Sequence, residues 1–336
     1  MQETVILLTP ADVPALYGLY AWGINIIKVI QNIKNPALTV FMKGISSLGT
    51  EFFYIIIILL VFWCVDEKKG FRMGLVIVIS AWLNSLLKYL LNQPRPFNFE
   101  PLLGLAFEPS NGFPSGHAQI SLTFWIAAAF YFAKGKLRKP LWIISAVLIL
   151  LIGFSRLYLG VHFPTDVFGG WVIACAVLVL FYFGEKKAAP LLINGGKRLQ
   201  LIITAAAVLV MNAVFLRDTS LPALMLGFCA GYSLMIKDFP FTAKNDTGKT
   251  ARFSVLVLRS VIGLAGFAVI YVGLKMVFPA SDSLFSDFTF LEPYYEIFRF
   301  IRYGLLGLWA AAGAPKVFIN FGLAVSQAAP ASAKKE

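Results

Sequence analysis

The two histidines of this 336-residue chain each stand in a short polar segment between apolar runs, beside residues that suit acid–base and nucleophilic chemistry. Asp166 follows His162 by four residues, close enough for its carboxylate to accept a hydrogen bond from one imidazole nitrogen. The other nitrogen is then free to act as a nucleophile. His117, which follows the tripeptide Pro-Ser-Gly, is free to give a proton to a leaving oxygen. The two histidines therefore predict a group transfer in which His162 attacks and His117 is the general acid.

Three basic residues stand at the ends of neighbouring apolar runs: Lys88, Arg95 and Arg156. The arginines offer planar, fork-like donors that match phosphate oxygens, and the lysine adds a point charge. Three converging cations within a membrane are costly unless an anion joins them. The proline before Ser115 and Gly116 suits the first turn of a helix, so the amides of these two residues are predicted to be free for an anion. The transferred group is therefore predicted to be a phosphoryl group.

Each of these elements also has a simpler interpretation. An arginine near a helix end, such as Arg156, often extends its side chain to the membrane interface, and Arg259 in a later apolar run is predicted to do so. A single histidine at the interface is more often structural than catalytic, and Pro-Ser-Gly can mark only a turn before a helix. The combination of all these elements on one face of the membrane is what indicates a catalytic site.

The elements that must position these residues are transmembrane helices. Hydrophobic residues make up 59% of the chain and charged residues only 14%, against about a quarter charged in soluble domains. Apolar runs of roughly twenty residues, the length that crosses a bilayer, recur along the sequence without the alternation of a membrane barrel. The fold is therefore predicted to be an all-α polytopic membrane bundle, with about nine spans near residues 51–65, 71–91, 114–133, 141–160, 166–184, 199–216, 220–236, 254–277 and 300–324.

The chain divides into three predicted regions. Residues 1–50 are predicted to form amphipathic helices that lie along the membrane interface, because residues 15–49 carry apolar residues at mixed spacing, interrupted by three lysines and a proline. A span within residues 15–49 stays open as an alternative. Residues 51–184 hold every residue with predicted chemistry and form the catalytic transmembrane core, and residues 185–336 add further transmembrane helices.

Basic residues in the loops predict the orientation of the chain in the membrane. Short cytoplasmic loops carry an excess of Lys and Arg, and four alternate loops are basic here, at residues 68–72, 134–139, 186–198 and 237–252. The polar segments with the histidines lie on the opposite side. The site is therefore predicted to face the periplasm or exterior, in a bacterial inner membrane. The net charge of +12 follows mainly from this topology and does not indicate a nucleic-acid partner.

The spacing of these residues resembles that of the type 2 phosphatidic acid phosphatase (PAP2) superfamily, which includes membrane lipid phosphatases, glucose-6-phosphatase and vanadium haloperoxidases. The resemblance is tight over residues 88–166 and extends in helical layout over about 50–184, which implies a PAP2-like core. Its three signature blocks are present as Lys88 with Arg95, Pro114 to His117, and Ser155, Arg156, His162 and Asp166.

The resemblance implies a metal-independent, vanadate-sensitive phosphatase in which His162 attacks phosphorus, Asp166 orients and activates it, and His117 protonates the leaving group. The phosphoryl oxygens would be held by a second set of residues: Lys88, Arg95, Ser115, Gly116 and Arg156. No cofactor is implied. No metal site is predicted, because acidic residues are sparse near the motifs, where a two-metal phosphatase would cluster them.

The motifs recognise only the phosphoryl end of a substrate, so several substrate classes stay open. The leading prediction is hydrolysis of a lipid phosphomonoester through a phosphohistidine, and the predicted partners are that substrate and the surrounding membrane lipids. The alternatives are an undecaprenyl-diphosphate phosphatase, a sugar-phosphate phosphatase like glucose-6-phosphatase, and a lipid phosphotransferase that passes the phosphoryl group to an alcohol. A transporter or scaffold without catalysis would not need both histidines.

Overall fold

Helices form nearly all of the regular structure in the computed structural model. It describes residues 8–9, 12–13, 15–245, 248–277 and 294–326. Over this part of the chain, strand-like pairing is limited to two isolated bridges, and the predicted all-α class is confirmed. The helices are α1 (Tyr17–Gln31), α2 (Pro36–Ser47), α3 (Glu51–Cys64), α4 (Glu67–Leu91), α5 (Pro96–Phe99), α6 (Gly116–Phe132), α7 (Arg138–Tyr158), α8 (Pro164–Asn194), α9 (Gly196–Val214), α10 (Ser220–Asp238), α11 (Phe253–Val277), α12 (Tyr295–Leu308) and α13 (Ala314–Asn320).

The number of spans is smaller than the sequence pattern predicts. Six helical segments can cross a membrane by themselves, and α2 and α3, which meet at a bend of 48°, form a seventh span if they are counted together. The predicted count of about nine is not confirmed over the described residues. The predicted spans that fall outside this count are those at α3, α6 and α12, which have 14, 17 and 14 residues; of the three, only α6 reaches the lower end of the roughly 17–25 residues that cross a bilayer. Six helical segments are long and apolar enough to cross by themselves: Glu67–Phe99, Gly135–Tyr158, Pro164–Leu192, Gly196–Val214, Ser220–Asp238 and Phe253–Val277.

The chain forms two compact units. The first comprises residues 1–55 and 79–182, and the second comprises residues 56–78 and 183–336. The first unit holds all eight residues with predicted chemistry. It also includes the N-terminal helices α1 and α2, which the sequence pattern assigns to a separate region at the membrane interface. That assignment and the three-region division stay predictions.

In the first unit, α1 packs against segments that lie beside the predicted site. Its apolar face forms a buried cluster with Leu103 and Phe163. A Cβ atom on Gly23 would lie 2.7 Å from the Phe163 ring, so a residue without a side chain is required there. The Gln31 side chain donates to the carbonyl oxygens of Leu103 at 2.8 Å and Tyr158 at 2.9 Å. The connection between α7 and α8 is thereby held in place.

In the second unit, Arg259 of α11 does not reach the membrane interface, and the prediction that it does is wrong. The residue is only 1% exposed. Its guanidinium donates to the carbonyl oxygens of Leu323 at 2.7 and 2.9 Å, Trp63 at 3.0 Å and Ala243 at 2.7 Å. Trp63 lies in the last turn of α3, where carbonyl groups have no partner within the helix. Arg259 therefore satisfies carbonyl groups inside the unit, which a sequence window around residue 259 cannot reveal.

Candidate active site

The residues with predicted chemistry come together in the first unit at the ends of four helices. Lys88 lies in the last turn of α4 and Arg156 in the last turn of α7. Ser115 is the N-cap of α6, and Asp166 lies in the first turn of α8. His162 stands in the short connection between α7 and α8. Segments that are far apart in the sequence thus build one site.

His162 lies between a carboxylate and a guanidinium. Its Nδ1 is 3.3 Å from Asp166 Oδ2, and its Nε2 is 3.2 Å from Arg95 Nη1. The same carboxylate oxygen accepts a hydrogen bond of 2.9 Å from the Phe163 amide. Because an arginine nitrogen can only donate, Nε2 must be the accepting nitrogen and Nδ1 must carry the hydrogen. This tautomer leaves the lone pair of Nε2 on the side of the cations.

Burial lowers the pKa of His162 well below its usual range, and the positive charges of Arg95, Arg156, Lys88 and His117 lower it further. The imidazole of His162 is therefore neutral near pH 7. The neutral form is the one that can act as a nucleophile.

The depressed pKa of His162 predicts the pH dependence of activity. A base with a lowered pKa stays unprotonated as the pH falls, so the acid limb of kcat/KM, where His162 takes up a proton, should lie well below the pH at which an unperturbed histidine titrates. In Lys88→Met, which removes one of the charges that lower this pKa, the acid limb should move to higher pH. The measurement is kcat/KM against pH for both proteins with the same substrate, so that substrate ionisation cancels. Coincident acid limbs would contradict the assignment.

Arg95 and Lys88 are both held by carbonyl groups of the loop that precedes α6. Arg95 donates from Nε to the Ser110 carbonyl at 2.6 Å and from Nη2 to the Asn111 carbonyl at 3.2 Å. Its Nη1 also donates to the Val161 carbonyl at 2.7 Å. Lys88 Nζ donates to the same Asn111 carbonyl. The two cations are thus positioned by backbone groups beside His162, a preorganised arrangement for an anion.

Arg156 pairs with an acidic residue that the sequence motifs do not include. Its guanidinium donates to the Glu108 carboxylate and the Ser46 hydroxyl. The Arg156 side chain is 2% exposed and that of Glu108 is 26% exposed. A carboxylate and a phosphate compete for the same guanidinium donors. The buried Nε of Arg156 makes no hydrogen bond among the described residues, so this donor is available to a phosphoryl oxygen, while Glu108 competes for the donors at Nη2.

The start of α6 differs in one respect from the predicted anion cradle. The Ser115 amide, predicted to be free, donates to the Asp166 carbonyl at 3.0 Å, because the amide of an N-cap residue lies outside the helix and can pair elsewhere. This hydrogen bond ties the start of α6 to the start of α8. The Ser115 hydroxyl caps α6 by accepting from the Ala118 amide at 3.5 Å. The Gly116 amide has no acceptor within the described part of the chain and stays available to an anion.

His117 is positioned by packing alone. A Cβ atom on Gly49 would lie 3.0 Å from His117 Cδ2, so the turn between α2 and α3 lies directly against the imidazole ring. The ring is half-buried, and no described residue forms a hydrogen bond with its nitrogens. Both nitrogens are therefore available to a leaving group or a water molecule.

A buried amide network lies beneath the start of α6. Asn84 donates to the Pro114 carbonyl at 3.3 Å and to Gln119 Oε1 at 2.8 Å. Gln119 in turn donates to the Ser80 carbonyl at 2.8 Å and the Ser80 hydroxyl at 3.0 Å. The network fixes the segment that carries the Gly116 amide. The signal that could have found it is the presence of amide side chains inside apolar helices, where polar groups are expensive.

The charge of the site comes from basic side chains. Among the residues that the structure describes, no three His, Cys, Asp or Glu side chains stand close enough together to hold a metal ion. The basic side chains Lys88, Arg95 and Arg156 stand near His162 instead, and after burial their charges are the main cause of its lowered pKa.

Two family models match separate parts of the chain. The model described as PAP2 superfamily matches residues 69–189. The model described as PAP2 superfamily phosphatase, transmembrane extension, matches residues 219–327. All eight residues with predicted chemistry fall within the first match.

Several known proteins are similar to about half of the chain. Phosphatidylglycerophosphatase B of Bacillus subtilis is 35% identical over 46% of this chain and 79% of its own length. An undecaprenyl-diphosphatase of Sulfolobus acidocaldarius is 31% identical over 45% of this chain and 73% of its own length. Sphingosine-1-phosphate phosphatase 1 of Mus musculus is 30% identical over 48% of this chain, but only 40% of its own length is covered. The crystal structure of a transmembrane PAP2-type phosphatidylglycerolphosphate phosphatase from Bacillus subtilis matches with 31% identity and a TM-score of 0.45, over 52% of this chain and 90% of that chain.

Proposed function

Because the chain belongs to the PAP2 superfamily, we propose that it is an integral-membrane phosphatase that hydrolyses a lipid phosphomonoester through a phosphohistidine on His162. The observation that carries the proposal is the position of His162, with Nδ1 beside the Asp166 carboxylate and Nε2 accepting from Arg95. This arrangement presents a neutral nitrogen to the cations that would hold phosphoryl oxygens.

In the first step, His162 Nε2 bonds to phosphorus while the bond from phosphorus to the alcohol oxygen breaks. Arg95 transfers its hydrogen bond from Nε2 to a phosphoryl oxygen, so that the nitrogen lone pair is released. His117 gives its proton to the departing oxygen, and the alcohol leaves neutral. Asp166 stabilises the positive charge that the His162 ring acquires.

In the second step, the phosphohistidine is hydrolysed. The unprotonated His117 takes a proton from water as the water oxygen bonds to phosphorus and the bond from phosphorus to nitrogen breaks. Inorganic phosphate leaves, and both histidines return to their starting states. During both steps the phosphoryl oxygens are held by Lys88, Arg95, Arg156 and the Gly116 amide, while Ser115 supports this arrangement as the cap of α6.

Two observations support a lipid as the leaving group. The motif residues stand at the ends of membrane-length helices such as α4 and α7, where the headgroup of a membrane lipid would meet them. Phosphatidylglycerophosphatase B and sphingosine-1-phosphate phosphatase 1 also carry names that denote phosphorylated lipids. The undecaprenyl-diphosphatase relative makes undecaprenyl diphosphate the second candidate substrate.

Phosphate release by the purified chain tests the proposed function. We expect activity without divalent metal, in excess EDTA, because side chains supply both the nucleophile and the positive charge of the proposed mechanism. Vanadate, which adopts the trigonal bipyramidal shape of phosphoryl transfer, should inhibit. The substrate panel is phosphatidic acid, phosphatidylglycerophosphate, sphingosine phosphate, undecaprenyl diphosphate and glucose 6-phosphate.

The panel separates the proposed function from its alternatives. A lipid phosphomonoester should be hydrolysed best, and a preference for undecaprenyl diphosphate or glucose 6-phosphate would replace the leading substrate class. Formation of a phosphorylated alcohol in the presence of glycerol would indicate a phosphotransferase. Activity that EDTA abolishes and magnesium restores would sink the metal-independent mechanism.

We further propose that the site faces the periplasm or exterior. The basis is the excess of Lys and Arg in loops such as 134–139, which marks the cytoplasmic side. Leu102 lies in the loop on the opposite side and is 90% exposed. A cysteine at Leu102 should react with a membrane-impermeant thiol reagent added to intact cells, whereas a cysteine at the exposed Lys136 should react only after permeabilisation. Labelling in the reverse pattern would invert the orientation, and the unaltered chain gives the background from its native cysteines.

A further inference from the structure

The second unit contains an apolar groove that the proposed catalytic site does not use. It lies between α11 and the segment formed by α12 and the π-helical turn Trp309–Gly313, and it has a volume of about 420 Å³. Ligand pockets commonly have volumes of about 300–1,000 Å³. The indole nitrogen of Trp309 donates to the Gly263 carbonyl at 2.9 Å, so it offers the groove no free donor. The lining residues are Val269, Ile270, Gly273, Leu274, Leu305, Leu308, Trp309 and Gly313.

A buried arginine stands one helical turn from this groove. Arg302 precedes Leu305 by three residues on α12, so the two side chains lie on the same face of the helix. Arg302 is 6% exposed. Its guanidinium carbon lies 5.7 Å from the centre of the Tyr271 ring and 5.5 Å from the centre of the Tyr303 ring. Two aromatic faces thus hold the cation beside the apolar walls.

Arg302 has no anionic partner within the described residues. Its buried Nε makes no hydrogen bond, and its guanidinium takes part in none of the ion pairs of the described chain. Two other arginines of the second unit have partners. Arg259 donates to carbonyl groups of the second unit, and Arg299 pairs with Asp218 at 3.2 Å and Glu296 at 3.6 Å. Because an unpaired buried charge is expensive in a membrane protein, Arg302 requires an anion from outside the described chain.

We propose that Arg302 and the groove together bind an anionic phospholipid of the bilayer. The phosphate of the lipid pairs with the guanidinium, whose fork of donors matches phosphate oxygens. An acyl chain occupies the groove between α11 and α12, where it contacts Val269, Leu274 and Leu308. A cation and an apolar groove one helical turn apart fit the two ends of one amphiphile, whereas a free anion fits the cation alone.

Gly273 offers a way to close the groove without disturbing the fold. It lines the groove, and no heavy atom lies within 4 Å of the position of an added Cβ atom. Gly273→Leu therefore places a side chain in the space proposed for the acyl chain, and leucine favours a helix more than glycine does. Gly184 on α8 is equally open and does not line the groove, so Gly184→Leu is the matched control. Arg302→Gln removes the charge and keeps a polar side chain, which is two bonds shorter.

Lipid binding to the full chain tests the proposal. Native mass spectrometry in detergent would compare phosphatidylglycerol with phosphatidylcholine of the same acyl chains, for the unaltered protein and for each variant, and the two groove variants separate binding here from binding at the proposed active site. The unaltered protein should bind phosphatidylglycerol more tightly. Arg302→Gln should weaken that binding at least about tenfold, the loss typical of a charge-assisted hydrogen bond, and leave phosphatidylcholine unchanged. Gly273→Leu should weaken binding of both lipids, and Gly184→Leu should change neither.

Three results would overturn the proposal. They are equal affinity of the unaltered protein for the two lipids, unchanged phosphatidylglycerol binding in Gly273→Leu, and competition by millimolar inorganic phosphate, which would indicate a site for a free anion. If Arg302→Gln does not yield folded protein, as judged by gel filtration, Gly273→Leu and the phosphate competition decide the question without it.

Discussion

Replacement of His162 by alanine should abolish turnover of every phosphate ester, with a loss of at least about 10⁴-fold, because loss of a catalytic nucleophile has costs of this order or larger. His162 is the neutral nitrogen base that lies between Asp166 and Arg95. Without it the proposed covalent route does not exist, so the quality of the leaving group cannot restore the rate. No phosphoenzyme should form with any substrate.

The measurement combines steady-state rates with trapping of the intermediate. Because a phosphorus–nitrogen bond is labile to acid, the reaction is stopped in alkaline detergent and the phosphorylated peptide is located by mass spectrometry. His162→Gln is the matched variant, since its amide can still contact both Asp166 and Arg95 and so preserves the packing of a buried site. Equal melting temperatures of this variant and the unaltered protein would show that the loss is chemical. A phosphorylated residue found in either variant, or at position 117 in the unaltered protein, would refute the assignment.

The sequence predicts which residues form the candidate site, because the proposed chemistry needs polar and charged residues that are rare in an apolar chain. Two histidines and a few cations stand at the ends of apolar runs. Their positions are not random, because a polar or charged side chain near the lipid hydrocarbon costs free energy. The structure brings these segments together, with His162 within 3.2 Å of Arg95 although the two are 67 residues apart in the sequence. The packing of α1 against Leu103 and Phe163 also supports the segment between α7 and α8, in which His162 lies.

What the sequence cannot predict depends on contacts between distant segments. Ser46 reaches Arg156 from the last turn of α2 and Glu108 reaches it from the loop before α6, and neither stands at a motif spacing. The Ser115 amide at the start of α6 donates to the Asp166 carbonyl at the start of α8, a contact between two helices that are far apart in the sequence. Arg259 has the sequence context of an interfacial side chain, yet carbonyl groups from three other segments surround it. Hydrophobic periodicity and charge describe one helix at a time and do not predict contacts between distant segments.

Replacement of His117 should separate the two histidines by their dependence on the leaving group. The imidazole of His117 makes no hydrogen bond to any described residue and is held only by packing against Gly49, so its nitrogens can serve the departing oxygen. A lipid alkoxide leaves poorly without a proton, whereas 4-nitrophenolate leaves without one. His117→Asn should therefore lower the rate with an alkyl phosphate by about 10²- to 10⁴-fold and largely spare phosphoenzyme formation from 4-nitrophenyl phosphate.

The second half of the reaction makes this contrast sharper. Hydrolysis of the phosphohistidine requires a base to take a proton from water, and His117 is the group placed to do so. With 4-nitrophenyl phosphate the variant should release one equivalent of 4-nitrophenol in a burst and then turn over slowly, so that phosphorylated His162 accumulates. Asp166→Asn is the matched comparison, because it weakens the nucleophile itself and should lower the rates with alkyl and aryl substrates by a similar factor. If His117→Asn also lowers both rates equally and shows no burst, then His117 does not act on the leaving group, and its position beside the Gly116 amide serves only to bind the phosphoryl oxygens.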